Sequence, residues 1–232
     1  MISVCIATYN GEKYIKEQLL SIVKQLGEED EIIISDDNST DDTLKIIREF
    51  GDTRIKIFTN NEKGYSSNFE NALKQATGEF IFLSDQDDIW VKNKVEICLN
   101  ELQKYDLVVS DCTLINSDGE MISDSYYSQR KIYRTGLGNL IKFSFLGCCL
   151  AFRANILKKA LPFPPNRKYC THDNWLFLVS CCLYNHKVLD DKLIYYRRHQ
   201  NNASDGGFKN NTSIWFKIKY RVYLVYKIIS RI

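Results

Sequence analysis

Glu79–Trp90 reads EFIFLSDQDDIW. A short apolar run bounded by polar residues has the pattern of a strand buried on both faces. Three aspartates, Asp85, Asp87 and Asp88, follow it within four positions. Carboxylates this close repel one another. They form either a solvated turn capping the next helix or a place where a cation sits. The ends of the other strands bear on that choice.

On the N-terminal side, ISVCIATYN, DEIIISDD and RIKIFTN read as three further strands. Between them lie GEKYIKEQLLSIVKQL, NSTDDTLKIIREF and GYSSNFENALKQATG, with helical spacing of apolar residues and with Gly27 and Gly78 as stops. On the C-terminal side, NKVEICLNELQKY is a helix and DLVVSDCTLIN a fifth strand. Strands alternating with helices across short links predict an α/β fold: a mostly parallel, doubly wound sheet flanked by helices. In such sheets ligands sit beyond the carboxyl ends of the strands. Those ends read TYN, SDD, TNNEKG, SDQDD and SDC. The repeated aspartate suggests one shared site.

The remainder is less regular. SDSYYSQRKIYRTG is expected to be a mobile loop. NLIKFSFLGCCLAFRANIL is apolar with Gly147 interrupting it, and THDNWLFLVSCCLY places Asp173 at the start of an apolar helix. KVLDDKLIYYRRHQNNAS predicts a strand running into a polar cluster.

Composition narrows the function classes. With 232 residues, 44% hydrophobic content and 26% charged residues, the chain can bury one substantial core. A net charge of +2 suggests neither disorder nor bulk nucleic-acid binding. The charge is unevenly spread. After Asp205 come six basic residues and no acid, whereas residues 1–205 carry 25 basic against 29 acidic. The tail SIWFKIKYRVYLVYKIISRI interleaves aromatic and aliphatic residues with basic ones. It reads either as an interfacial helix near anionic lipid or as a helix packed on the body. Eight cysteines without a CxxC pair read as reduced thiols of a cytoplasmic protein. The N-terminus lacks the basic segment of a signal peptide, and no run of 18 apolar residues is present.

Each polar motif has a bland and a chemical reading. Asp85–Asp88 offers hard oxygen ligands suited to Mg²⁺ or Mn²⁺, without the long calcium-loop pattern. Asp36-Asp37-Asn38-Ser39 is a helix cap or a contact to a base or ribose. The dinucleotide glycine pattern and the P-loop are both missing, which leaves a metal as the means of holding phosphates. Asp173 is a cap or a general base, and Trp175 offers a flat face to a ring. Arg197-Arg198-His199 is a solvated basic patch, or His199 ligates a metal and the arginines meet phosphate.

Together these motifs resemble the inverting glycosyltransferases of family 2, which have the GT-A fold. VCIATYNGEKYI is similar to that family's opening strand and nucleotide loop, IIISDDNSTDDT to its second-strand motif and FLSDQDDIW to its DXD-type motif. GCCLAFRANIL and THDNWL resemble the acceptor-side motifs, and YRRHQNNAS a closing motif. The likeness is closest to bacterial rhamnosyl- and galactosyltransferases of capsule and O-antigen assembly. It spans residues 1–205, expected to form one GT-A domain, with 206–232 as the basic aromatic tail. The resemblance implies a metal-dependent inverting hexosyltransferase. Asp173 would be the catalytic base. Thr8, Tyr9, Asn10, Glu12, Asp37, Asn68 and Asp85 would hold the nucleotide-sugar, and Asp87, Asp88 and His199 the Mn²⁺ or Mg²⁺. The implied partners are a UDP-hexose or dTDP-rhamnose donor, a lipid-linked glycan acceptor and an anionic membrane surface, with no nucleic acid. The residues themselves still admit a sugar nucleotidyltransferase, although TYNGEKY is poor in the glycine and basic residues a triphosphate loop needs. A non-catalytic carbohydrate- or nucleotide-binding module also remains open.

Overall fold

The computed structural model describes residues 1–200, 202 and 213–232. Its first half alternates as the apolar periods predict. Strand β1 (Ile2–Thr8) leads to helix α1 (Ile15–Val23), β2 (Glu31–Asp36) to α2 (Thr43–Phe50), and β3 (Ile55–Thr59) to α3 (Tyr65–Gln75). Then come β4 (Phe80–Asp85), β5 (Ile89–Trp90), α4 (Lys94–Leu102), β6 (Leu107–Ile115) and β7 (Met121–Ser123). The chain continues through α5 (Gly136–Ile141), β8 (Leu150–Arg153), α6 (Leu157–Ala160), α7 (His172–Leu183), β9 (His186–Arg197) and α8 (Ile214–Ile229).

Among the described residues the nine strands form one sheet in the order β3-β2-β1-β4-β8-β6-β9-β5, with β7 on β6. Strands β3, β2, β1 and β4 are parallel neighbours, so their carboxyl ends share one edge. Their alternation of Val, Ile and Phe buries both faces, with Val4, Ile6, Ile33 and Phe82 fully enclosed. Strand β8, inside the apolar run that showed no clear period, lies antiparallel between β4 and β6. The expected fifth strand is therefore not the neighbour of the fourth. It pairs in parallel with β9 along its length, from Leu107 opposite His186 to Ile115 opposite Arg197. That pairing carries β6 past Ser110-Asp111-Cys112, so SDC is not a strand end. Asp111 instead accepts hydrogen bonds from the Cys112 and Tyr127 amides at 2.8 and 3.1 Å.

The aspartate run is bent back by β5, whose Ile89 and Trp90 pair antiparallel with Tyr195 and Ile194 of β9. Since β4 is central in the sheet and β5 is its last strand, three residues span the gap only because the sheet curls. The segment expected to be a mobile loop holds a buried Tyr126 and a short 3₁₀ turn at Tyr127–Gln129. All eight cysteines are free thiols.

Helix α8 packs on the body through Leu224 and Ile228. Tyr220 Oη donates to Leu140 O at 3.0 Å, and Arg231 Nη1 donates to Leu161 O at 3.0 Å. Its other face leaves Trp215, Ile218, Val222, Val225 and Ile229 exposed at spacings of three and four. The expected domain boundary at 205/206 and the basic Lys209 lie outside the described residues. No described helix is long and apolar enough to cross a membrane.

One buried carboxylate ties the amino ends of β1, β2 and β3 together. Glu31 Oε1 accepts from Ser3 Oγ at 2.5 Å and from the Thr77 amide at 2.7 Å, while Oε2 accepts from Lys56 Nζ at 2.7 Å. Burial alone would raise this carboxyl, but the bonds from Lys56, Ser3 and Thr77 outweigh it and bring it down to about 2. A depressed carboxyl stabilises the fold above its unfolded value of about 4.5, and that stability is lost as pH falls towards 2. Replacing Glu31 by alanine leaves four donors, Thr77 Oγ1 among them, without their acceptor. We expect a loss of about 3 kcal/mol at pH 7, read as a melting temperature lower by roughly 6–12 °C. The gap between variant and wild type should narrow in acid.

Candidate active site

The site grows from two strand-end loops that need tight turns. Asn10 and Asn38 both adopt left-handed φ values, 48° and 62°, a conformation asparagine tolerates better than most residues. The loops are laced together. The Asn10 amide donates to Ser39 Oγ at 2.9 Å, and Asn10 Oδ1 accepts from the Thr40 amide at 2.8 Å. Glu12 Oε2 accepts from the Asp42 amide at 2.9 Å, at the head of α2. Asn10 and Glu12, both expected on the nucleotide, thus brace the loops and do not line the cavity between them. Their side chains satisfy amides at the start of a helix, which turns them away from the strand ends.

That cavity has a volume of about 580 Å³ and opens over the carboxyl ends of β1, β2 and β4. Thr8, Tyr9, Asp37 and Asn68 line one side. Thr8 Oγ1 donates to Asp36 Oδ1 at 2.8 Å, so its hydroxyl is committed to the neighbouring strand. Tyr9 leaves its ring exposed. Asp37 is held in place by Asn60 Nδ2 on one oxygen and the Gly64 amide on the other, each at 2.9 Å. Asn68 donates to Thr8 O at 3.0 Å, and its buried Oδ1 has no partner among the described residues.

Asp85 and Asp87 form the floor, and Asp173, in the first turn of α7, stands across from them. Burial, then the charges of Asp87 and Asp173, push Asp85 up to about 8. Burial, then Asp87 and Asp85, push Asp88 well above the usual carboxylate range. A cation would relieve this repulsion. Asp87 Oδ2 lies 2.8 Å from His199 Nε2 and accepts from Asn202 Nδ2 at 3.3 Å. Asp85, Asp88 and Cys148 each bring a ligand atom within 4.8 Å of the others. Asp87 with its partner His199 offers the oxygen and imidazole donors that Mn²⁺ or Mg²⁺ accepts, whereas the described atoms gathered closely enough to share one ion belong to Asp85, Asp88 and Cys148. Asp88 does not line the cavity. Its Oδ1 accepts from the Arg197 amide at 3.0 Å, and its buried Oδ2 has no described partner.

Arg197 was a candidate phosphate ligand and is not placed for it. Its guanidinium lies behind the aspartate turn, donating through Nε to Asp87 O at 2.9 Å and through Nη2 to Glu17 Oε2 at 2.7 Å. It also covers the Tyr14 ring at 4.6 Å, and that ring stacks on His199. Arginine here holds the turn that presents Asp87. Among the described lining residues the fixed positive charge comes from Arg130, in a segment read as an irregular loop.

Sequence reasoning also missed Gln86. Its Oε1 accepts from the Tyr9 amide at 2.8 Å and its Nε2 donates to Tyr9 O at 2.9 Å, which docks the first loop on the aspartate turn. Gly11 permits this, since a Cβ there would stand 2.3 Å from Gln86 Oε1. Its place between two aspartates was the only local signal. Gly147 has a similar task beside Asp173: a Cβ would meet His172 Nε2 at 2.4 Å. Gly147→Ala must therefore displace the His172 ring, at the head of α7 beside Asp173. We expect a drop in turnover of about 10²-fold with the fold retained, checked by steady-state kinetics beside a melting curve.

A curled α/β sheet whose acidic strand ends open into one cavity is the GT-A architecture of glycosyltransferases. The family profile described as Glycosyl transferase family 2 matches residues 3–161. The chain belongs to that family and is a glycosyltransferase. It is 30% identical, over 93% of its length and 84% of the other's, to the UDP-Glc:alpha-D-GlcNAc-diphosphoundecaprenol beta-1,3-glucosyltransferase WfgD of Escherichia coli. It is 31% identical, over 93% of its length and 76% of the other's, to the dTDP-rhamnosyl transferase RfbG of Shigella flexneri. Among solved structures, S. aureus TarS in complex with UDP-GlcNAc aligns with a TM-score of 0.74 at 23% identity, over 98% of this chain and 66% of that one. The glucosyl-3-phosphoglycerate synthase of Mycobacterium tuberculosis, crystallised with Mn²⁺, UDP and phosphoglyceric acid, aligns at 0.60 with 18% identity, over 100% and 78%.

Proposed function

We propose that this glycosyltransferase moves a hexose from a nucleoside-diphosphate donor to a hydroxyl of a lipid-linked bacterial surface glycan, inverting the anomeric centre. The observation that carries the reading is the single cavity lined by Asp37, Asp85, Asp87 and Asp173. Carboxylates for the base, the ribose, the metal and the acceptor proton thus line one cavity, within reach of one substrate. The relatives named for UDP-glucose and dTDP-rhamnose chemistry support the donor class.

In this reading Asp37 holds the base while the exposed Tyr9 ring covers it, and Asp85 meets the ribose. Asp87 and His199 hold Mn²⁺ or Mg²⁺, which when bound offsets the charge of the leaving diphosphate. Arg130 adds positive charge to the cavity lining. Asp173 accepts the proton of the acceptor hydroxyl as its oxygen attacks the anomeric carbon. The bond to the diphosphate breaks on the opposite side, so one displacement inverts the centre.

Thermal shift tests the donor class. UDP-glucose or dTDP-rhamnose at 100 times its Kd should add roughly 2.7 kcal/mol of stability, and more with Mn²⁺ than with EDTA. A protein indifferent to every nucleotide-sugar, with and without metal, is not this enzyme.

The acceptor argument brings in α8. Its outward stripe of Trp215, Ile218, Val222, Val225 and Ile229 is flanked by Lys217 and Lys219, with no acid after Asp205. An apolar strip bordered by cations complements an anionic bilayer. In this reading the enzyme works from the cytoplasm on the inner face of the cell membrane. Because Leu224 and Ile228 anchor α8 to the body, deleting the tail would expose core, and a point change is the cleaner test. Val222→Glu should cut binding to phosphatidylglycerol vesicles about tenfold or more at low salt while leaving the melting temperature in place. Unchanged binding would remove the membrane from the proposal.

A further inference from the structure

His172 precedes Asp173 and is the polar residue in the cavity whose setting makes least sense without a ligand. It is 5% exposed, yet neither ring nitrogen has a hydrogen-bond partner among the described residues. The ring stacks on Phe69 at 4.2 Å and 20° and meets Tyr65 edge-on at 5.9 Å. Its amide donates to Ser66 Oγ at 3.3 Å, and Gly147 leaves just enough room for its Nε2 edge. Four residues, three of them on α3, thus fix the orientation of an imidazole whose nitrogens have no partner among the described residues. Burial holds its pKa down, with the charge of Asp173 opposing, so the ring is neutral at pH 7. A neutral imidazole offers one N–H and one lone pair. Leaving both unmet in the interior is destabilising, and phenylalanine would pack the same stack without that cost. A sugar hydroxyl, itself donor and acceptor, is the complementary partner.

The position indicates which sugar. His172 is walled by Tyr65, Ser66 and Phe69 of α3. That helix also carries Asn68, bonded to Thr8, and follows Gly64, bonded to Asp37. The imidazole therefore sits between the nucleoside wall and Asp173, on the donor's side of the base. Resting on the donor reading above, we propose that His172 hydrogen-bonds a hydroxyl of the transferred sugar, a positioning and specificity contact that stays buried and unpaired until the donor enters.

His172→Phe and His172→Gln test this, with UDP, UDP-glucose, dTDP and dTDP-rhamnose as probes. Without ligand, His172→Phe should melt about 2–4 °C higher than wild type, since the unmet nitrogens are gone. It should bind UDP or dTDP as wild type does but lose about tenfold in affinity for whichever intact nucleotide-sugar the wild type prefers. His172→Gln, which restores a donor and an acceptor, should recover part of that loss. Three results would overturn the assignment: an unliganded His172→Phe protein that melts lower, equal losses for the free nucleotide and the nucleotide-sugar, or a change confined to the KM of the acceptor. If wild type binds no nucleotide-sugar at all, the donor reading falls and this contact falls with it. Binding of UDP-glucose by wild type with no deficit in His172→Phe would sink the contact alone.

Discussion

Asp173→Asn is expected to lower turnover by about 10²–10⁴-fold while donor affinity and fold survive. Asparagine has nearly the same shape, and its Oδ1 can still accept the Asn174 amide hydrogen bond that Asp173 Oδ1 accepts at 2.8 Å. What it cannot do is take a proton from the attacking hydroxyl. The competing role is that of a helix cap, although the N-cap position of α7 is Thr171 and Asp173 lies in the first turn. Loss of a cap lowers stability by about 0.5–2 kcal/mol and spares turnover. Melting temperature, donor Kd and kcat on one preparation separate the two. A variant that melts early but turns over at the wild-type rate, or a product that keeps the donor's anomeric configuration, ends the assignment of Asp173 as base.

Asp87→Ala is expected to reduce transfer by about 10³-fold or more, because several kcal/mol of charge stabilisation at the leaving diphosphate go with the metal. The turn itself should persist. Arg197 grips the backbone oxygen of residue 87 and the Asp88 carboxylate, neither of which the substitution removes. His199 and Asn202 lose their partner on Asp87. Donor binding in Mn²⁺ should therefore fall to the level that wild type shows in EDTA, with little further loss when EDTA is added to the variant. Calorimetry with and without metal reads this directly. Wild-type transfer that is indifferent to EDTA would leave a glycosyltransferase without metal chemistry at Asp87.

The first four strands and their helices were legible because each announces itself locally. A buried parallel strand is a short apolar run, and a helix repeats its apolar face at three and four. The acidic strand ends followed, since parallel neighbours place their carboxyl ends on one edge. Asp37, Asp85, Asp87 and Asp173 could thus be named from residues and resemblance, and they line one cavity. Pairing was not legible. Strand β8 hides in an apolar run because four residues have no period to display, and its place between β4 and β6 depends on partners 41 to 73 positions away. Ser110-Asp111-Cys112 looked like a strand end because polarity cannot tell a loop from a strand whose carboxylate is met by another segment.

Side-chain direction decided the rest. Asn10 and Glu12 have the composition of ligand residues, but nearby helix amides claim them first. Arg197 looked like a phosphate ligand until the curl of the sheet set it behind the aspartate turn. Arg130 carries no local signal, and Gln86 and Gly147 show only a place between two aspartates and a break in an apolar run, because what each does depends on which distant atom it faces. The sequence by itself determined a parallel sheet with carboxylates at its ends, because periodicity and polarity are local properties. Only the tertiary structure decided which of those groups share a cavity and which hold the walls, because hydrogen bonds and burial are settled between residues far apart in the chain.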